Sequence, residues 1–295
     1  LQAMYPATMS TSLRYIPSFV NPFLLVVGTA ATCVTAGQTT NTGPLCASGR
    51  LFVMKRKQTG DQYTAWSTPV MSAADGNPFA NITTHADLGS NGATPRYTAA
   101  FPTFTDLNGD GQLDLVLGTA GGTLRSFTNP NLANETMPSS WLEMDPNPLA
   151  FVTMDNAYGF AMPHAVDLDG DQKDELLVGS REGSGIRLFV QDAWDLSWSE
   201  RRSGNGNPFS HLNKLYLYSA VPATYDVNGD GFADLVVGDM YGRINVWISE
   251  VGFLSDTWAE RENAANPFFG LDLGLPDGGQ SWPTFADLNG DGHVE

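Results

Sequence analysis

The stretch FPTFTDLNGDGQLDLVLG, residues 101–118, decides the fold once it is set beside three others in the same chain. These are MPHAVDLDGDQKDELLVG from Met162, VPATYDVNGDGFADLVVG from Val221 and WPTFADLNGDGHVE from Trp282. Their first aspartates, Asp106, Asp167, Asp226 and Asp287, stand 61, 59 and 61 positions apart. A second marker keeps the same period: Asn77-Pro78-Phe79, Asn147-Pro148-Leu149, Asn207-Pro208-Phe209 and Asn266-Pro267-Phe268. Two independent markers in one register make this a tandem repeat, and the repeat must be read before any local feature.

Each unit reads as four short strands. The first ends near the first Asp, and an acidic loop follows. An apolar run such as Leu115-Val116-Leu117 or Leu235-Val236-Val237 comes next and stops at Gly118, Gly179 or Gly238. The third strand alternates with period two, as in Ile186 to Val190 and Arg243 to Trp247. The fourth begins around Trp141, Trp198 or Trp258, whose recurrence, with Trp66, reads as packing inside the unit. Pro102, Pro163, Pro222 and Pro283 sit early in strand one, where a missing N–H is tolerated. Four strands per unit at this period describe the blade of an all-β propeller.

The expected organisation is a single β-propeller domain over 1–295. Blade 1 covers about 1–97, blade 2 98–157, blade 3 158–217 and blade 4 218–278, with the start of blade 5 at 279–295. Blade 1 lacks the acidic loop. Phe19 to Gly28 aligns with the flanking strands of the other units about five residues short, so no metal is expected there. The stop at Glu295, before the apolar second strand of blade 5, is expected of a fragment, because an unclosed propeller exposes a sheet edge.

Counted from the first Asp, each loop places side-chain oxygens at positions 1, 3, 5 and 9. These are Asp106, Asn108, Asp110 and Asp114; Asp167, Asp169, Asp171 and Glu175; Asp226, Asn228, Asp230 and Asp234; and Asp287, Asn289, Asp291 and Glu295. Position 7 would add a backbone carbonyl, from Gln112, Lys173, Phe232 or His293. A calcium ion takes six to eight oxygens on a pliable loop, which this alternation can wrap, whereas magnesium demands a strict octahedron. Up to four Ca2+ sites are expected. An EF-hand is excluded, since its closing Glu stands at position 12 between helices and here a β-run follows position 9. Solvated Asp-Gly turns would also occupy such places, but four copies with the same oxygens favour metal. The second loop departs most, with Gln172 in place of Gly at position 6 and Asp174 beside Glu175.

Charge follows the loops. The 295 residues carry a net −17, from 32 acidic and 15 basic side chains. Thirteen of the acidic residues are loop positions, and the rest outnumber the basic residues by only four. That balance argues against nucleic acid or an anionic membrane as partner. The longest apolar stretch, Phe23 to Val34, is too short to span a bilayer, so no membrane insertion is expected from this segment. The chain begins at Leu1 without a charged leader, as after removal of a signal peptide or in an incomplete chain. Cys33 and Cys46 bracket a Thr/Gly-rich insertion that a disulfide would hold together, the alternative being two unpaired thiols. The sequons at Asn81 and Asn134 are N-glycosylation acceptors if the chain is secreted. Together these features favour a secreted or cell-surface setting.

The DLNGDGxxDLVVG-type stretches, with the Gly242-Arg243-Ile244 and Asn266-Pro267-Phe268 types around them, resemble the FG-GAP/VCBS repeat family. That family includes the propeller of integrin α-subunits. The resemblance implies a seven-bladed ring, of which about five repeats are present. It also implies calcium held between strands one and two of a blade, and an extracellular binding or adhesion role. By topology the metal loops share one side with the strand 3–4 connections, and both enlarged connections of blade 1, the Cys33–Cys46 insertion between strands two and three and the Asn77-to-Phe101 stretch that leads to the next unit, fall on the other side. In integrins that other side binds ligand. A protein or glycan partner is therefore expected there, with Tyr97, Tyr158 and Tyr218, which precede strand one, as contact candidates, the alternative being that the enlarged loops only cap the first blade. The four histidines are scattered and no nucleophile, metalloprotease or phosphate-loop motif occurs, so no catalytic residue is assigned and an enzyme is not expected. The competing readings are a structural subunit of a large extracellular assembly and a propeller attached to a polysaccharide-acting enzyme.

Overall fold

Short apolar runs punctuated by Gly, Pro and Asp favour strands over helices, and the chain folds accordingly. The computed structural model describes residues 7–12, 24–32, 49–59, 62–67, 70, 72–84, 97–129, 141–154, 159–181, 185–202, 206–209, 212, 219–249, 258–271 and 280–285. Seventeen strands run through them. In the first part of the chain they are β1 (Ala7–Ser12), β2 (Leu24–Thr32), β3 (Gly49–Thr59), β4 (Gln62–Trp66), β5 (Thr83–Thr84), β6 (Tyr97–Thr105), β7 (Asp114–Thr119), β8 (Leu124–Thr128) and β9 (Leu142–Glu143). Then come β10 (Met162–Val166), β11 (Glu175–Gly179), β12 (Ile186–Gln191), β13 (Trp198–Arg201), β14 (Val221–Tyr225), β15 (Asp234–Gly238), β16 (Ile244–Ser249) and β17 (Trp258–Arg261). The one helical turn among the described residues is the 3-10 turn Asn263–Ala265, and none is long and apolar enough to cross a membrane.

The chain divides into two compact units, one reaching Phe160 and the other covering Ala161–Phe285. In the second, β10-β11-β12-β13 and β14-β15-β16-β17 are separate four-stranded antiparallel meanders. In the first, β6-β7-β8-β9 forms the same meander and β2 is flanked by β1 and β3, with β4 beyond. The far end of β2, Ala30–Thr32, also pairs with Tyr97–Ala99 of β6 and joins the two meanders into one sheet. This is the all-β, blade-by-blade organisation of a β-propeller.

The strand paired with the front of β2 is Ala7–Ser12, with Ser12 opposite Val26 and Ser10 opposite Gly28. The sequence reading matches Phe19 with Phe104 of the next unit, and Phe19 lies outside the described residues. Residues 13–23 thus separate strands one and two of this blade, against 106–113 in the next, and the connection is longer rather than five residues shorter.

The apolar runs form the middle strands. β7, β11 and β15 are buried along their whole length, which is why they read as unbroken apolar stretches rather than alternating ones. Their two faces feed different clusters. Leu235 and Val237 pack with Leu177, Leu188, Phe209 and Trp258, while Val236 packs with Val246 and Ile248. Each of the fully buried aromatics and aliphatics contributes roughly 1.5–3 kcal/mol of transfer free energy.

Both repeat markers have mechanical roles. The Asn of the Asn-Pro-Phe turn donates from Nδ2 to the carbonyl at the start of strand three: Asn77 to Leu51 at 2.9 Å, Asn147 to Leu124 at 2.8 Å and Asn266 to Ile244 at 2.8 Å. Its Oδ1 accepts the N–H two residues on, at 2.9 Å in all four turns. The Phe then enters the core beside the strand-four Trp of the following blade. Phe79 stacks on Trp141 at 5.3 Å, and Phe209 meets Trp258 at 5.1 Å. Trp141, Trp198 and Trp258 are all buried, as packing residues should be, while the Trp66 side chain lies outside the described residues. The Gly that closes β11 and β15 is required by its neighbour. A Cβ on Gly179 would collide with the Ala220 carbonyl ahead of β14, and one on Gly238 would collide with that of Ser281.

Candidate metal centre

Strand register puts the acidic loops together. Position 9 of each of the three described loops is the first residue of a middle strand and pairs directly with the last residue of strand one: Asp114 with Thr105, Glu175 with Val166, Asp234 with Tyr225. The chain between them must reverse over eight residues, and it does so around its own carboxylates. Asp226 Oδ1 accepts N–H bonds from Gly229 at 2.7 Å and Asp230 at 3.1 Å, and its Oδ2 accepts one from Gly231 at 2.8 Å. Asn228 Oδ1 accepts from Asp230 at 2.9 Å and Asp230 Oδ1 from Phe232 at 2.9 Å. Asp106 and Asp167 hold the equivalent amides of their own loops. Three loops of different sequence therefore turn their oxygens inward in one pattern.

Position 6 takes a left-handed backbone. Gly111 and Gly231 adopt it at φ +79° and +90°, and Gln172 is held there at φ +71°. A non-glycine residue in that region carries roughly 1–2 kcal/mol of strain, so the second loop pays locally for a departure visible in its sequence.

The closing carboxylate differs from the rest. Asp114 and Asp234 are fully buried and Glu175 nearly so, whereas Asn108, Asp110, Asp169, Asp171, Asn228 and Asp230 are exposed. Asp234 accepts the N–H of Val227 at 2.8 Å on Oδ2 and that of Ser249, at the end of strand three, at 2.9 Å on Oδ1. Asp114 makes the same two bonds, with Leu107 and Asn129, both at 3.1 Å. Glu175 takes the Leu168 N–H at 2.8 Å. Position 2 is thus a further functional position, with Leu107 and Leu168 buried and their amides fixing the closing carboxylate. The aliphatic residue at that place in all four repeats was its sequence signal.

Burial makes these carboxylates hard to ionise. It pushes Asp114 up to about 6 against the lowering effect of its two backbone donors. Glu175 is pushed up to about 7, first by burial and then by the charges of Asp169, Asp171 and Asp167. Asp234 is raised for the same reasons, burial first and Asp230 and Asp226 after it. In the second loop, oxygens of Asp167, Asp169 and Glu175 lie within 4.8 Å of one another. Loops one and three carry an Asn oxygen at position 3 in place of that third carboxylate. A buried carboxylate facing others at this range is stabilised by a cation between them. The donor set is all oxygen, which suits a hard divalent ion of calcium type.

Several sequence candidates lie outside the described residues: the fourth loop with Asp287, Asn289, Asp291, His293 and Glu295, both cysteines Cys33 and Cys46, Asn134, Tyr158 and Tyr218. The backbone of Tyr97 opens β6, but its side chain is likewise outside them. His164 is engaged with Thr224 Oγ1 at 2.9 Å between two first strands, a structural position. Sequence reasoning missed the ion pairs that tie strand three to strand four. Arg125 grips Glu143 through Nε at 2.7 Å and Nη2 at 2.8 Å, and Arg187 grips Glu200 at 2.7 and 2.9 Å. Each guanidinium lies over a Phe ring, Phe127 or Phe189.

The fold and these loops define the class, a repeat propeller with an acidic, oxygen-lined loop between strands one and two of its blades. A family model for the FG-GAP-like repeat matches residues 106–178 and 226–295, and these two stretches are FG-GAP-like repeats. No curated protein matches the chain.

Proposed function

We propose that the chain is a calcium-stabilised extracellular interaction module rather than an enzyme. A repeat propeller is an interaction scaffold, and the acidic loops supply its conditional rigidity. Residues at positions 1, 3, 5 and 9 of each loop would hold Ca2+, with the position 7 carbonyl of Gln112, Lys173 or Phe232 as a further ligand. The ion would supply the positive charge that the inward-facing oxygens lack. The observation that carries this reading is the buried closing carboxylate. Glu175 sits close to Asp167 and Asp169 with its ionisation opposed by burial, an arrangement that a bound divalent cation resolves. Melting in calcium, in magnesium and in chelator tests it. A calcium-specific rise in Tm is expected, and identical melting in all three would refute it.

The partner face is proposed on the side opposite the loops, among the strand 2–3 turns. The turn after β15 shows how such a face is prepared. Asp239 is fully buried and accepts the amides of Tyr241 and Arg243 at 2.9 and 3.0 Å, and the Arg243 side chain at 2.7 Å. Arg243 lies over the Tyr241 ring at 5.0 Å, and that ring is 56% exposed. A Tyr and an Arg fixed before contact lose little freedom on binding, and these two residue types dominate interface energetics. Tyr241→Ala should leave melting within about 0.5 kcal/mol of wild type while weakening capture of the extracellular partner. Unchanged capture would remove this turn from the face.

A further inference from the structure

The turn that ends the first blade differs from its repeats at one exposed place. Four residues after the Asn of the Asn-Pro-Phe motif, later turns carry Phe151, which is 48% exposed, and Gly270, also exposed. The first turn carries Asn81, and only there does the following pair, Ile82-Thr83, complete an acceptor sequon. Asn81 is exposed, whereas Ile82 is buried and anchors the turn in the core.

Asn81 also lines a cavity of about 260 Å³, together with Thr83, Arg125, Phe127, Trp141 and Glu143. That is a little under the roughly 300 Å³ at which pockets for larger ligands begin, and it offers room for one sugar ring. Its open surface is mainly polar, since Phe127 and Trp141 are themselves buried and the Arg125 guanidinium lies over the Phe127 ring at 4.9 Å. Arg125 is fixed there from both sides: it donates to the Thr83 carbonyl at 2.8 Å and to both oxygens of Glu143. Glu143 keeps 52% of its side chain open, so its oxygens can accept from hydroxyl groups without breaking that pair. A sugar attached to Asn81 would meet the preformed Arg125–Glu143 pair, which presents donors and acceptors to its hydroxyl and N-acetyl groups.

We infer that Asn81 is an N-glycosylation site whose first N-acetylglucosamine is seated in this cavity, beside the Arg125–Glu143 pair. The inference rests on the extracellular reading above, and is independent of calcium. In the transfer, Asn81 Nδ2 bonds to C1 of a polyprenyl-diphosphate-linked oligosaccharide. The C1–O bond to diphosphate breaks, the polyprenyl diphosphate leaves and the amide gives up one proton. The attached sugar then bridges the last turn of the first blade and the outer strands of the second.

The test uses the chain secreted from eukaryotic cells, with occupancy read by glycopeptide mass and glycans trimmed to a single N-acetylglucosamine. Thr83→Ala abolishes the sequon while keeping Asn81 and the backbone carbonyl that Arg125 uses, and Thr83→Ser retains the sequon. Expected are a sugar on Asn81 in wild type and T83S, a Tm about 2–4 °C above T83A, and slower amide exchange in 81–84 and 124–128. An unmodified Asn81 overturns the inference, whatever Asn134 carries. So does a modified Asn81 whose melting and exchange match T83A. A calcium titration of the same samples separates the two readings: a calcium-dependent Tm persisting in T83A leaves the metal loops standing while the sugar seat fails.

Discussion

Glu175→Gln should make the metal-free protein more stable at pH 8 and the calcium-loaded protein less so. Glu175 ionises in the unfolded chain near 4.5 but in the fold only at about 7. A folded value above the unfolded one means that the fold holds the proton more tightly. Its contribution is therefore complete below pH 4.5 and is lost as pH rises through 7. One pKa unit corresponds to about 1.4 kcal/mol, which sets an upper limit of roughly 3.5 kcal/mol for this rise. Screening from the open side of the loop brings a realistic figure to about 1–2 kcal/mol.

The glutamine keeps an oxygen for the Leu168 N–H and never ionises. In chelator at pH 8 the variant should melt about 2–8 °C above wild type, with the gap closing by pH 4.5. Saturating calcium should reverse the order, because the cation needs the carboxylate that the variant lacks. Calcium binding by wild type near pH 6.5 should also release protons, measurable as a dependence of binding heat on buffer ionisation enthalpy. A variant no more stable than wild type in chelator at pH 8 would refute the burial argument. A variant that gains as much from calcium as wild type would refute Glu175 as a ligand.

Asp226→Ala removes the acceptor for three loop amides and should cost roughly 1–2 kcal/mol even in chelator, read as an urea midpoint; an unchanged midpoint would mean that water replaces all three bonds. Phe209→Ala empties a fully buried site against Trp258 and should cost about 3–5 kcal/mol; a loss under 1 kcal/mol would show that the Asn-Pro-Phe turn does not staple the blades. Gly179→Ala drives a methyl into the Ala220 carbonyl and should cost at least ~1–3 kcal/mol; wild-type melting would mean that the next strand yields freely.

Much of this fold was legible because its markers are backbone requirements. Gly179 and Gly238 recur because a neighbouring strand passes where a Cβ would be, and Asn77, Asn147 and Asn266 recur because an amide side chain answers both a carbonyl and an N–H. Such needs fix residue identity, so they survive in a single sequence. The loops were legible for the same reason: the oxygens at positions 1, 3 and 5 hold amides two to five residues away. The start of the first blade was not legible. Without an acidic loop, nothing near Phe19 set the register, and the pairing strand is Ala7–Ser12. The Arg125–Glu143 and Arg187–Glu200 pairs were hidden too, since they join residues 18 and 13 apart through hairpins of unequal length. The burial of Asp114 and Asp234 ran against residue type. Both head the middle strand and must be buried with it, whatever their charge.

The two ends of a blade are held by different chemistry, and this gives the metal loops a structural consequence. At the loop end, Asp234 joins Val227 and Ser249, so one carboxylate fixes strands one, two and three together. That carboxylate is buried beside others, so its ionised form, which accepts these bonds best, is opposed by burial and by the charges of Asp230 and Asp226, and a cation would relieve both. At the other end Asp239 has Arg243 as its own counter-charge, and Ser281 Oγ donates to the Arg243 carbonyl at 2.5 Å. No ion is required there. Calcium removal should therefore loosen the loop end first and leave the Tyr241 turn in place. In hydrogen exchange, amides at 227–232 and 249 should lose protection in chelator well before those at 239–243. If both ends lose protection together, the blade opens as one unit, and calcium governs the proposed partner face as directly as it governs the loops.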